Sequence, residues 1–333
     1  MAAIIKRKRT YSVVFSYVDE NGETKQKWET LHTFEEAKKR KAEVESQQFT
    51  GYFVPPKKLT VEEFLVDFVS IYGEKSWGIA TYDGNVALIK NYIVPIIGKV
   101  EVQEVNARMV DQLIRTLQKT ESVICRNRKP RTKYLSPSNI DKILTLLKSA
   151  FNQAVRWELI GKNPFLQASG PKVDYEPRDI WTADMIRTAL EQCRDSRLYI
   201  AMNLSFACSL RMGEILGLTW DNVHITDADI AKDNAYIYID KELVRASKRA
   251  IETLAAKDVL RSFPPLFPNT STQLVLKKPK TKASVRKVWL PKTVAYILRE
   301  WKESQEKLKL FLGAEYQDYN LVIAQSDGKP CEG

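Results

Sequence analysis

The sequence predicts a multidomain protein: a small α+β unit, then an all-helical unit, then a mixed, mainly helical unit with a small antiparallel sheet. Three observations predict it. At 333 residues the chain is longer than one hydrophobic core usually serves. Strand-like residues near the N-terminus give way to apolar residues at period 3.6 through the centre, and from about residue 223 the period changes to 2 before a last helix. Two stretches, 52–58 with Pro55 and Pro56 and 161–177 rich in Gly, Pro and Lys, interrupt the pattern and read as linkers. The expected units are 1–57, 58–165 and 175–333.

In the first unit Tyr11–Val18 reads as a strand, 19–22 supplies a turn through Gly22, and 25–30 returns. Thr33-x-x-Glu36 is a capping box opening a helix to about Gln48. Thr60-x-x-Glu63 caps the first helix of the second unit, with Phe64, Leu65, Phe68 and Val69 on its apolar side. Further helices are expected near 80–93, 106–119 and 137–157. The last opens at Ser136-Pro137 and is striped by Ile140, Ile143, Leu144, Leu147 and Phe151. In the third unit Thr182 caps a helix, and 199–217 holds one or two more. Residues 235–240, 273–277 and 286–290 read as strands, and Pro291 starts a helix carrying Val294, Ile297, Leu298 and Trp301.

Composition narrows the partners. Lys and Arg number 52 against 41 Asp and Glu, a formal charge of +11, which favours a polyanion, nucleic acid before an anionic membrane surface. No apolar run approaches the length of a membrane span. Cys125, Cys193, Cys208 and Cys331 stand apart with no C-x-x-C spacing, so neither a zinc ribbon nor a disulfide scaffold is indicated; a reducing interior is expected. His32 and His224 lack metal-site spacing, phosphate-loop signatures are absent, and no cofactor or metal is expected. Asp227, Asp229 and Asp233 read as a turn cluster.

Ser209-Leu-Arg-Met-Gly-Glu-Ile-Leu-Gly-Leu-Thr-Trp220 is the most informative stretch. It sets Arg211 at the start of an apolar helix with Glu214 three residues on. A guanidinium held against a core must be paired or face an anion, and its planar fork suits a phosphate. Basic clusters extend the theme. Lys6, Arg7, Lys8 and Arg9 form an arm that could follow a phosphate backbone. Arg126, Arg128, Lys129, Arg131 and Lys133 lie in a loop between helices. Lys277, Lys278, Lys280, Lys282 and Arg286 fall in an acid-free run between two strands, expected as the tip of a hairpin. Arg245, Lys248 and Arg249 make a weaker cluster, diluted by Glu242 and Glu252.

On these residues the chain resembles the tyrosine recombinases, the integrases of conjugative transposons and temperate phages, and does so along essentially its whole length. The family's first catalytic arginine lies in a sequence similar to Leu210-Arg-Met-Gly-Glu-Ile-Leu-Gly-Leu-Thr-Trp220. The resemblance implies that Arg211 holds the scissile phosphate, that Glu214 supports it, and that Lys280, with Lys282 as runner-up, is the catalytic lysine. It implies an arm-type DNA-binding domain at 1–57 (three strands and a helix), a helical core-binding domain at 58–165, and a partial catalytic domain at 175–333.

It further implies double-stranded DNA as partner at core and arm sites, a tetramer on DNA at full length, accessory DNA-bending or directionality factors, and a cytoplasmic, nucleoid-associated bacterial protein. In the family reaction a tyrosine attacks a DNA phosphate, forms a 3′-phosphotyrosyl bond and releases a 5′-hydroxyl, without ATP or metal. One departure matters. The family's His-x-x-Arg, a second His or Trp, and the nucleophilic tyrosine follow the lysine, and no His-x-x-Arg occurs here. Tyr316 and Tyr319 come too early to be the nucleophile and read as packing at a helix end. The chain is therefore expected to be C-terminally truncated, and to bind DNA but not cleave it alone. The competing expectation is a non-catalytic or decayed integrase-like DNA-binding protein.

Overall fold

The β-branched and aromatic residues of the first segment build a three-stranded antiparallel sheet. The structure, a computed structural model, describes residues 2–8, 10–18, 23–49, 59–123, 132–172, 179–265 and 269–332. Strands β1 (Ala2–Lys6), β2 (Tyr11–Val18) and β3 (Thr24–Leu31) lie side by side in that order. Val13 and Phe15 point from β2 onto Ala37 and Val44 of helix α1 (Phe34–Phe49), a small core of its own. Arg40 of α1 forks onto Glu29 of β3 at 2.7 and 3.2 Å and fastens helix to sheet. The structure corrects the reading of residues 6–9 as an arm. Lys6 pairs with Tyr11 across the β1–β2 ladder, and the Arg7 amide donates to the Thr10 carbonyl at 2.7 Å, so Lys6, Arg7 and Lys8 belong to the end of β1 and the start of a turn back to β2. The basic residues hid the strand because Ile4 and Ile5 are its only large apolar residues. The expected turn at 19–22 and the linker at 52–58 fall outside the described residues.

Packing divides the chain into two compact units, Met1–Lys75 with Gly84–Tyr175, and Ser76–Asp83 with Glu176–Gly333. The sequence reading had three units. The helices of the central region are α2 (Val61–Asp67), α3 (Glu74–Ser76), α4 (Ile79–Leu88), α5 (Val94–Ile97), α6 (Ala107–Lys119) and α7 (Pro137–Arg156). Local chemistry sets their starts. The Thr60–Glu63 capping box opens α2, Asn106 accepts the Met109 amide at α6, and Ser136 with Pro137 opens α7. Phe64, Phe151 and Phe165 are fully buried, with ring centroids 5.7 and 4.7 Å apart along the series. These edge and tilted contacts are a favoured geometry for packed aromatic rings.

The remaining elements are α8 (Ala183–Gln192), α9 (Ser196–Cys208), α10 (Met212–Leu216), β4 (Val223–His224), α11 (Asp227–Ala231), β5 (Tyr236–Ile239), β6 (Glu242–Ser247), α12 (Lys248–Thr253), β7 (Val259–Ser262), β8 (Thr272–Lys277), β9 (Arg286–Trp289) and α13 (Lys292–Leu312). They form two three-stranded sheets, ordered β4-β5-β9 and β6-β8-β7, where the sequence suggested one. The hairpin expected from 273–277 and 286–290 is therefore corrected. Strand β8 pairs with β6 and β7, while β9 pairs with β5. The intervening basic run crosses from one sheet to the other. Leu274, Val275 and Leu276 are buried in succession, as a central strand covered on both faces requires, whereas β9 alternates and lies at an edge.

The core of this region gathers Leu204, Ile215, Ile237, Ile239 and Leu298 with the extended segment Leu321, Val322, Ile323 and Ala324. Gln305, buried on α13, accepts the Trp220 indole N–H at 2.7 Å and donates to the Val322 carbonyl at 3.1 Å. Cys208 is buried, as its apolar surroundings suggest. No helix among the described residues is long and apolar enough to cross a membrane.

Candidate phosphate-binding site

The site starts from a chain reversal. Ser209 adopts the left-handed conformation (φ 52°) and ends α9. Leu210 then drops into the core and Arg211, in extended conformation, leads into α10. Position three of that helix is Glu214, whose Oε2 accepts the Arg211 backbone N–H at 3.0 Å, satisfying a donor the helix start leaves open. Glu214 Oε1 accepts Arg211 Nη1 at 2.9 Å. From β9, Arg286 adds two parallel bonds, Nη1 to Oε1 and Nη2 to Oε2, both 2.9 Å.

One carboxylate thus serves two guanidinium groups. The Glu214 side chain is 3% exposed, against 72% for Arg211. Hydrogen bonding from Arg286 pulls the Glu214 carboxyl from its ordinary 4.5 down to about 2, against the upward push of burial, and the Arg211 amide assists. The carboxylate is ionised at neutral pH, and two cations with one anion leave an excess positive charge. Arg286 spends its fork on Glu214; Arg211 spends only Nη1 and presents the rest of its guanidinium to solvent. A fixed, outward fork of unused N–H donors is a receptor for an oxyanion.

Two glycines let α10 sit where it does. A Cβ on Gly217 would lie 2.6 Å from the Leu243 nitrogen of β6, and one on Gly213 would lie 3.2 Å from the Leu243 oxygen. The Gly-x-x-x-Gly spacing inside the Arg211 motif is a backbone-approach requirement.

The other sequence-predicted residues are placed as follows. Lys280 and Lys282 are exposed; Lys280 makes no hydrogen bond or ion pair among the described residues, and Lys282 opens a single turn, Lys282–Ser284. Lys278 is exposed, whereas Lys277 is mostly covered and paired with Glu242 at 2.7 Å. Lys6, Arg7 and Lys8 are exposed on the β1–β2 turn, with the Arg7 guanidinium 5.2 Å from the Trp28 ring centre. Lys133 is exposed and faces Glu121 at 3.6 Å. Arg9, Arg126, Arg128, Lys129 and Arg131 lie outside the described residues. In the weaker cluster, Arg245 is paired with Glu332.

Tyr319 stacks edge-on against Phe263 at 5.0 Å, and burial raises the Tyr316 hydroxyl above its ordinary value. His224 stacks on Tyr236 at 4.2 Å. Asp227 and Asp229 lie on α11, and Asp233 pairs with Lys292 at 3.1 Å. Among the described residues no group of three or more His, Cys, Asp or Glu side chains converges as metal ligands do.

Sequence reasoning missed the Glu214–Arg286 fork because the partners are 72 positions apart. A usable signal was present. Strand alternation puts Arg286 on the face of Val288, which packs on the core, and Lys287 on the opposite face with Trp289.

Comparison with known proteins follows the same line. No family model matches the chain. The ICEBs1 integrase of Bacillus subtilis (strain 168) is 24% identical over 248 residues, covering 74% of this chain and 55% of that protein. A XerC-like tyrosine recombinase of Caldanaerobacter subterraneus is 28% identical over 187 residues, covering 54% of this chain and 42% of the relative. The chain spans about half the length of these curated relatives. Among solved structures, the Tn1549 transposon integrase in complex with a circular intermediate DNA superposes with a TM-score of 0.59 at 16% identity, over 82% of this chain and 73% of that one. The same integrase in complex with transposon right end DNA gives 0.59 at 17%. The fold is that of the integrases. In sequence the chain is similar to integrases and XerC-like tyrosine recombinases, and in fold to the integrase of a transposon.

Proposed function

We propose that this chain is the DNA-holding part of a site-specific recombinase of a mobile element, and that Arg211 grips the phosphate at which strands are cut and rejoined. The observation that carries it is the pinned but outward-facing Arg211 guanidinium, fixed by a buried carboxylate in a chain of +11 charge. The recombinase relatives and the DNA-bound integrases of the same fold support the reading.

In this reading residues 1–57 take arm-type sites, 58–165 take core sites, and the region from 175 supplies Arg211 and Lys280. Arg211 stabilises charge on the phosphoryl oxygens, and the Lys280 ammonium protonates the leaving 5′ oxygen. A tyrosine would form the 3′-phosphotyrosyl bond, in a tetramer assembled on two duplexes with any accessory bending factors. Conserving the phosphodiester in that bond removes the need for ATP or metal. No His-x-x-Arg occurs in the sequence, so these 333 residues are proposed to bind duplex DNA without cutting it. A missing electrostatic donor alone costs roughly 100-fold or more in rate. The absent motif equally favours the second reading, an integrase-like protein that only binds.

Duplex binding measured across salt tests the proposal. Steep weakening with salt is expected. Arg211→Ala should cost about tenfold in affinity. A nicked suicide duplex should give no covalent adduct. Salt-insensitive binding would sink the DNA reading, and an adduct would sink the binding-only reading.

A further inference from the structure

Arg286 belongs by sequence to a row of basic residues suited to DNA, but its geometry differs from that of its neighbours. Its fork meets Glu214 through two bonds of 2.9 Å, and Nη1 also donates to the Ser284 carbonyl at 3.0 Å. Ser284 is clipped in turn to Thr281: its amide donates to the Thr281 carbonyl at 3.0 Å, and the two hydroxyls are 2.9 Å apart. Lys280 is the preceding residue. A continuous series of hydrogen bonds runs from Arg211 through Glu214 and Arg286 to the residue beside Lys280.

We infer that Arg286 is a positioning residue, which ties the Lys280-bearing turn to the Arg211 helix through Glu214 and Ser284 and does not itself grip DNA. The inference rests on the phosphate-site reading above. A phosphate approaching Arg286 would have to displace a buried carboxylate already held by two parallel charge-assisted bonds. Arg211, on the same carboxylate, keeps most of its donors free, so the two guanidinium groups divide the labour of holding and binding. Lysine could not replace Arg286, because a single ammonium lacks the planar fork that spans both carboxylate oxygens and the carbonyl.

Amide exchange and duplex binding on the chain test this with R211A, R286K, R286M, E214Q and the double variant E214Q/R286M. Without DNA, R286K should speed exchange of the Ser284 and Val285 amides, which donate to Thr281 and Lys282, by about tenfold or more while β8 amides keep their protection. Unchanged exchange at Ser284 overturns the link. On a duplex, R286M and E214Q should each bind about tenfold more weakly, and the double variant no more weakly than the worse single, since both act through one pair. Losses that multiply, with the salt slope falling by about one when Arg286 is removed, would make it a backbone contact and overturn the inference. If R211A leaves binding untouched, the phosphate-site reading fails instead, and the DNA-free exchange result still decides the link. R286K retains a cation on Glu214 and carries the test should R286M not fold.

Discussion

Two cationic regions of this molecule invite comparison: the Arg211 corner and the basic crossover between β8 and β9. Sequence makes the crossover look richer, with Lys277, Lys278, Lys280, Lys282, Arg286 and Lys287 close together. Structure reverses the order of interest. At the corner one arginine is fixed by a buried anion and still faces water. In the crossover Lys277 is occupied by Glu242, Arg286 by Glu214, and the Lys287 ammonium sits 3.6 and 4.0 Å from the Tyr236 and Trp289 ring centres. Lys278, Lys280 and Lys282 remain exposed. Charge density locates a neighbourhood; the partner of each charge separates the groups that build from those that bind.

The difference can be broken most violently at Glu214. Replacing it with Ala leaves Arg286 half-buried without its anion, and unfolding in urea should show a loss of about 3–5 kcal/mol. Acid sharpens the same point. The Glu214 carboxyl is depressed in the fold, so its contribution is full above its ordinary 4.5 and is lost as pH falls toward about 2. The stability gap between wild type and Glu214→Gln should therefore narrow by roughly 3 kcal/mol across that interval; a gap independent of pH would mean that the carboxylate is not held by its arginines.

Next in size is Gly217→Ala. Its methyl would meet the β6 backbone, which cannot retreat as a side chain can, and about 1–3 kcal/mol should be lost in a melt. Smallest in stability is Lys280→Ala, expected within about 0.5 kcal/mol of wild type. Its effect belongs to binding, where the salt slope should fall by about one. A Lys280→Ala protein that melts early would place that lysine with the builders.

Local signals in the sequence were legible. The capping residues Thr60, Ser136 and Thr182 each accept the amide that their position predicts, and Tyr11–Val18 is a strand over the residues read as one. The Arg211–Glu214 pair was visible because its members are only three positions apart. Long-range pairing was not. Strand β6 reads Glu-Leu-Val-Arg-Ala-Ser, too charged to announce itself, and without it β8 had only β9 as a neighbour. Strand β1 was masked by the basic turn that follows it. Arg286 looked like one more surface cation, because nothing local distinguishes a guanidinium that will meet a carboxylate from elsewhere in the chain.

The seat of α10 on β6 carries a consequence for how this protein can vary. The near contacts of Gly213 and Gly217 include the Leu243 nitrogen and oxygen and the Glu242 carbonyl carbon, so main chain rests on main chain. Such a seat is indifferent to most of the chemistry hung on residues 242 and 243. It is intolerant of one inserted or deleted residue there, which would slide the strand and carry the Arg211 helix with it.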